Sequence, residues 1–67
     1  MNKALLRSIM VLHGDTNNTL AKYLGISEVS LSNKINEINT EFKQSEIAAI
    51  KKRYALDDAQ TSLIFFN

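Results

Sequence analysis

Residues 16–36 read TNNTLAKYLGISEVSLSNKIN, and the apolar pattern of this stretch decides the fold. Apolar residues recur four apart on each side of Gly25, so the members of each pair share one helix face. These pairs are Leu20 with Leu24 and Leu31 with Ile35. Gly25 suits the left-handed conformation that ends many helices. The stretch therefore predicts two short helices, at about 17–24 and 28–36, that meet at a tight turn.

A further apolar helix is predicted before this stretch. Asn2 is a suitable N-cap, and the helix is expected to run to about His13, where Gly14 ends it. Its core stripe is expected to consist of Leu5, Ile9 and Leu12, with Leu6 and Met10 on its flanks. Asp15 and Thr16 then provide a turn and the N-cap of the next helix.

Two more helices are predicted after the stretch. Residues 37–43 indicate a loop whose Ile38 and Phe42 are expected to turn inward. Helices at about 44–54 and 58–65 should follow. The fifth helix begins with a capping-box pair, Asp57 and Gln60. The predicted fold is all-α, a compact bundle of five short helices in a single domain, residues 1–67.

Length and composition limit the possible classes. At 67 residues and 45% hydrophobic content, the chain is one small domain near the lower limit for unaided folding. It has no cysteine, which excludes disulfides and thiolate metal sites. No apolar run approaches membrane-spanning length, and no membrane association is expected. We therefore expect a cytoplasmic protein.

The charge distribution alone does not indicate a nucleic-acid partner. The formal net charge is only +1, and most lysines and arginines are scattered. The longest basic run, residues 51–53, lies outside the central stretch.

The chain offers no pattern for catalysis. His13 is the single histidine and has no acidic companion at ligand spacing, so neither a metal nor another cofactor is expected. No nucleophile, base and orienting group can be assembled, and an enzyme is not expected.

The central stretch resembles the helix-turn-helix of the lambda-repressor-like family, which includes the Cro and repressor proteins of phages. The matching residues are Leu20, Ala21, Leu24, Gly25, Ile26, Ser27, Leu31, Ser32 and Ile35. Residues 41–42 and 45–47 extend the resemblance to a small phage branch. Many relatives have Gly where this chain has Glu37, and Ser or Thr where it has Lys43. The resemblance implies a lambda-repressor-like DNA-binding domain in a bacterial cell, nucleoid-associated when bound.

The resemblance also implies which residues contact DNA. The second helix of the motif enters the major groove, and its base-reading residues would be Glu28, Val29 and Asn33. Glu28 could instead simply favour the helix dipole. The phosphate contacts would be Asn17, Ser27, Ser32, Lys34, Asn36 and Lys43. Ser27 could equally be a plain N-cap, and Lys34 a solvated surface charge.

The tail forms a second informative stretch, with four consecutive apolar residues, Leu63, Ile64, Phe65 and Phe66. They cover more than one helix face. Either Leu63 and Phe66 close the bundle, or the stretch forms a homodimer interface. The interface is the favoured interpretation, because a contiguous apolar patch on a small protein usually marks an interface. A twofold dimer would present two reading helices about 34 Å apart.

Two functions follow from these expectations. The first is a Cro-like transcriptional repressor that binds double-stranded operator DNA as a dimer. The alternative is a protein-interaction module, such as an antirepressor that binds another phage regulator. The weak net charge and the apolar tail favour this alternative somewhat.

Overall fold

The computed structural model describes residues 1–66, and this range contains five α-helices. They are α1 (Lys3–Leu12), α2 (Asn17–Leu24), α3 (Glu28–Ile35), α4 (Gln44–Arg53) and α5 (Asp58–Phe65). No strand occurs within these residues, so the predicted all-α, five-helix fold is confirmed. The helices predicted to end at His13, Asn36 and Tyr54 each end one residue earlier. No helix within the described range has both the length and the apolar character needed to cross a bilayer.

Side-chain caps start four of the helices, as the sequence predicts. The Asn2, Thr16, Ser27 and Asp57 side chains accept hydrogen bonds from backbone N–H groups three residues later. Asp57 and Gln60 form the predicted reciprocal capping box, with bonds of 2.7 and 3.0 Å. These caps satisfy N–H groups that have no partner inside a helix, and they fix where each helix begins.

The first four helices all end in the same way. A residue with positive φ follows each helix. The N–H groups of this residue and of the next one donate hydrogen bonds to carbonyls of the last helical turn, as in the Schellman motif. The positive-φ residues are Gly14, Gly25, Glu37 and Ala55. Glu37 and Ala55 adopt this conformation with φ of 55° and 51°, although it is unfavourable for residues with a Cβ atom. Glu37 therefore has a conformation that Gly adopts more readily.

The core is built from one face of each helix. Its buried apolar residues are Leu6, Met10, Leu20, Ala21, Leu31, Ile35, Phe42, Ile47, Ile50, Tyr54, Leu56 and Ile64. On α1 the predicted centre of the buried face is wrong, because Leu6 and Met10 form that centre and Leu12 is 81% exposed. Apolar residues occupy much of the α1 circumference, so their spacing alone did not identify the inward side.

The connection between α3 and α4 has one apolar anchor rather than two. Phe42 is buried, as predicted, and its ring packs edge-on against Phe65 at a centroid distance of 5.4 Å. Ile38 is 55% exposed, so the prediction that it turns inward is wrong. The left-handed conformation of both its neighbours, Glu37 and Asn39, turns the chain so that Ile38 stays outside.

The Asp15 carboxylate joins the end of α1 to α2 and α4. It accepts hydrogen bonds from Thr19 Oγ1 at 2.8 Å, Arg53 Nε at 2.8 Å, Arg53 Nη2 at 2.7 Å and Tyr54 Oη at 2.7 Å. Its side chain is only 6% exposed. The hydrogen bonds from Arg53 are the main cause of a pKa far below the usual range for aspartate. The folded protein therefore holds Asp15 ionised.

The two ends of the described chain also meet. The Asn2 N–H donates a 2.7 Å hydrogen bond to the carbonyl of Ile64, so the start of α1 lies against the end of α5.

We expect Ala55→Gly to raise the free energy of unfolding by about 1 kcal/mol, because glycine relieves the left-handed strain. Ala48→Gly is the matched control, since Ala48 is exposed within α4, and should lower it by about 1 kcal/mol. Urea denaturation measures both. A destabilised Ala55→Gly variant would contradict the assigned conformation.

We expect Asp15→Asn to lower the free energy of unfolding by about 2–3 kcal/mol at pH 7, because an amide nitrogen would face donors in place of an acceptor. The lowered pKa of Asp15 stabilises the fold above the unfolded-state pKa, about 4, and this contribution declines as the pH falls from there towards the much lower folded-state pKa. The stabilities of the two proteins should therefore converge in acid. Asp58→Asn, which alters an exposed ion pair with Lys51, is the control and should change stability little.

Candidate nucleic-acid interface

The α2–α3 pair has the helix, tight turn and helix that the sequence predicts. Gly25 adopts φ of 72°, and the Ile26 N–H donates to the Ala21 carbonyl at 3.0 Å. The inward residues of the pair, Leu20, Ala21, Leu31 and Ile35, are at most 2% exposed. This buried seam fixes both helices against the core. Their identification as a DNA-binding helix-turn-helix stays a prediction.

The other side of α3 faces solvent. Three residues of α3 and its C-cap Asn36 follow the spacing i, i+3, i+4, i+7 and therefore form one face. We call it the outward face of α3, and it consists of Val29, Ser32, Asn33 and Asn36. Val29 is 70% exposed, and Asn33 is half-buried. Two of the three predicted base-reading side chains thus lie on this face, Val29 exposed and Asn33 partly accessible.

The N-terminal turn of α3 has a mixed character. Ser27 is the N-cap, since its Oγ accepts from the Ser30 N–H at 3.0 Å. Glu28 is exposed in the first turn, where its carboxylate favours the positive end of the helix dipole. The structure supports the capping interpretation of Ser27, and its hydroxyl can still donate a hydrogen bond outward.

Lys34 does not belong to this surface. It is 8% exposed, and its ammonium lies 2.9 Å from Glu46 Oε1, which is also buried. Burial alone would raise the pKa of Glu46, but the Lys43 N–H and the Lys34 ammonium together lower it. A phosphate contact would require Lys34 to break this ion pair, so we withdraw the predicted contact. The motif gave no sign that Lys34 is buried, because its partner Glu46 lies outside the motif.

Asn36 is largely engaged within the protein. Its Nδ2 donates to the Ser32 carbonyl at 3.0 Å, and its Oδ1 accepts from Lys3 Nζ at 3.2 Å. Lys3 is exposed, so α1 brings a cation to the C-terminal end of α3. Lys3 was not predicted as part of the interface, because no local signal links positions 3 and 36.

Of the remaining predicted phosphate contacts, Ser32 is half-buried in the middle of α3, and the other two lie at helix starts. Asn17 is the first residue of α2 and is half-buried. Lys43 immediately precedes α4 and is exposed, and its side chain forms no cap. The first turns of both helices direct free N–H groups outward, a geometry that suits a phosphate.

The basic run at residues 51–53 is largely occupied by internal contacts. Lys51 pairs with Asp58, and Arg53 pairs with Asp15 and stacks over the Tyr23 ring at 4.5 Å. Within residues 1–66, the cations without a carboxylate partner are Lys3, Arg7, Lys22, Lys43 and Lys52. The most basic segment of the sequence is therefore mainly structural.

The apolar tail divides between core and surface. Ile64 is fully buried, so its predicted place in a dimer interface is wrong. Leu63 and Phe66 are 53% and 62% exposed, which excludes the alternative that they close the bundle. Phe65 is half-buried against the core. Phe66 borders an open groove of about 240 Å³ that Phe42 and Ile47 also line.

His13 packs its ring against Tyr54 at a centroid distance of 4.9 Å. Among the described residues, no three His, Asp or Glu side chains are grouped as metal ligands.

Comparison with known proteins gives no further assignment. No family model, no curated protein and no solved structure matches this chain. The resemblance to lambda-repressor-like proteins therefore rests on the motif residues alone, and the fold rests on the structure.

Proposed function

We propose that this chain is a Cro-like transcriptional regulator that inserts α3 into the major groove of operator DNA. The observation that carries the proposal is the outward face of α3, whose opposite side is locked into the core. A groove-reading helix needs this combination of a fixed inner face and short accessible outer side chains. The motif resemblance supplies the rest of the support.

Each residue of the proposed interface has a chemical role. Asn33 can pair with N6 and N7 of adenine, Val29 can contact a thymine methyl group, and Glu28 can accept from N4 of cytosine. The phosphate contacts come from Asn17, Ser27, Ser32 and Lys43. Lys3 adds a further phosphate contact, and Asn36 holds the Lys3 ammonium in place by accepting its hydrogen bond. The low net charge makes sequence-independent attraction weak, so more of the affinity must come from the fit to bases.

The regulator acts as a homodimer in this proposal. Leu63 and Phe66 place two large apolar side chains on the outside of a small protein, and Phe66 borders the groove lined by Phe42 and Ile47. Exposed apolar patches of this kind often mark interfaces. A twofold contact through α5 would bring two α3 helices to one DNA duplex.

A protein-interaction module is the second candidate. Val11 and Leu12 are 76% and 81% exposed at the end of α1, which favours an apolar partner there. The two candidates differ in their salt dependence. Operator binding weakens steeply with salt, whereas an apolar protein contact does not.

Selection of duplexes from a random pool by the purified protein is the decisive test. We expect an enriched, roughly palindromic site, with half-sites about one helical turn apart. Failure to retain any duplex at low salt would overturn the proposal.

Asn33→Ala should weaken binding to the selected site by about 1–3 kcal/mol and relax the preference at one base pair. The salt slope should stay unchanged, because this residue contacts no phosphate. Titration of single-base variants of the site by fluorescence anisotropy measures both effects. Equal losses on every duplex would contradict base reading by Asn33.

Lys43→Ala should instead weaken binding to all duplexes alike and reduce the log–log salt slope by about 0.9. Lys52→Ala is the matched control, since Lys52 is also exposed but lies about 13 Å further along α4. It should leave affinity and slope unchanged. Equal effects of the two substitutions would place the phosphate contact elsewhere.

Leu63→Glu should convert a dimer of the 7.5 kDa chain into a folded monomer, because a carboxylate would be desolvated in the contact. Val11→Glu, at a comparably exposed apolar position on α1, should leave the dimer intact. Sedimentation equilibrium measures both. A wild-type protein that stays monomeric at every concentration would remove the dimer from the proposal.

A further inference from the structure

Beyond its first residues, which bond to α1, α3 and the N-terminal ammonium, the connection between α3 and α4 (residues 36–43) has few contacts of its own. All its residues are exposed or half-buried except Phe42. Glu37 and Asn39 both adopt left-handed backbone conformations, which are unfavourable for Glu37. Lys43, the proposed phosphate contact, lies at the end of this weakly anchored segment.

Two buried side chains hold the end of the connection. Lys34 Nζ lies 2.9 Å from Glu46 Oε1 and 3.5 Å from the carbonyl oxygen of Glu41. The same Glu46 oxygen accepts a 2.8 Å hydrogen bond from the Lys43 N–H. The pair therefore contacts the backbone on both sides of Phe42.

Stability alone does not account for an ionic pair at this place. Lys34 and Glu46 are each 8% exposed, and desolvation opposes the attraction between buried charges. Replacement of such a pair by apolar side chains is often neutral or stabilising. What apolar side chains cannot provide is the directional hydrogen bonding to the Glu41 carbonyl and the Lys43 N–H.

We propose that Lys34 and Glu46 are positioning residues that fix residues 41–43 against α3. Lys34 directly follows Asn33 in α3, so the pair sets the place of Lys43 relative to the base-reading helix. The phosphate contact is thereby preorganised before DNA arrives. The DNA-binding part of this inference rests on the proposed function, whereas the ordering of residues 41–43 does not.

The test compares the wild type with Lys34→Met/Glu46→Leu, which replaces the ion pair by apolar side chains of similar size. Urea denaturation should show a folded protein of near wild-type stability. Hydrogen exchange of the Lys43 amide should become about tenfold faster relative to that of Leu31 in the core. Affinity for the selected duplex should fall about tenfold, with a shallower salt slope.

Glu46→Gln is the conservative control. It keeps an oxygen that can accept from the Lys43 N–H, so the protection of that amide and most of the affinity should be retained. If the double variant does not fold, Glu46→Ala replaces it, since the long Lys34 side chain can extend towards solvent. The inference requires that the Lys43 amide lose its protection against hydrogen exchange in Glu46→Ala as well.

Unchanged protection of Lys43 and an unchanged salt slope in a folded variant would overturn the inference. A wild-type protein that binds no duplex would defeat the proposed function instead, and the exchange measurement would still decide whether the pair orders residues 41–43. The two failures are therefore distinguishable.

Discussion

The Asp15 carboxylate is the interaction on which the arrangement of α1, α2 and α4 depends. It satisfies donors from Thr19, Arg53 and Tyr54 at once, and it lies where α1 gives way to α2. In a chain of 67 residues the apolar core is small, so a hydrogen-bonded anchor has a large share in fixing one packing. The proposed reading helix α3 is positioned by this arrangement, because Leu31 and Ile35 of α3 are buried with Leu20 and Ala21 of α2.

The helices could be predicted from the sequence because their signals are local. Caps such as Asn2 and Ser27 and the left-handed Gly25 act within a few residues, and the structure confirms each of them. The inward side of α1 could not be read in this way, since apolar residues surround much of that helix. The exposed Ile38 was mispredicted because two left-handed residues, neither of them glycine, set the path of the loop.

For the candidate site too, the features set by local sequence were predictable and those set by packing were not. Periodicity placed Val29 and Asn33 on the outward side of α3, and both are accessible there. The side chains that join distant parts of the chain could not be foreseen. Lys34 with Glu46 and Lys3 with Asn36 meet only after the helices pack, and this changes which cations face outward.

The hydrogen bond from Asn2 to Ile64 has a consequence for biosynthesis. This hydrogen bond closes almost the whole described chain into one loop. Because closing a long loop costs conformational entropy, we expect the bond to form only after the intervening helices have folded. During translation α1 leaves the ribosome long before α5 can reach it. Its apolar residues then lack their final neighbours, and chaperones have a period in which to engage the nascent chain.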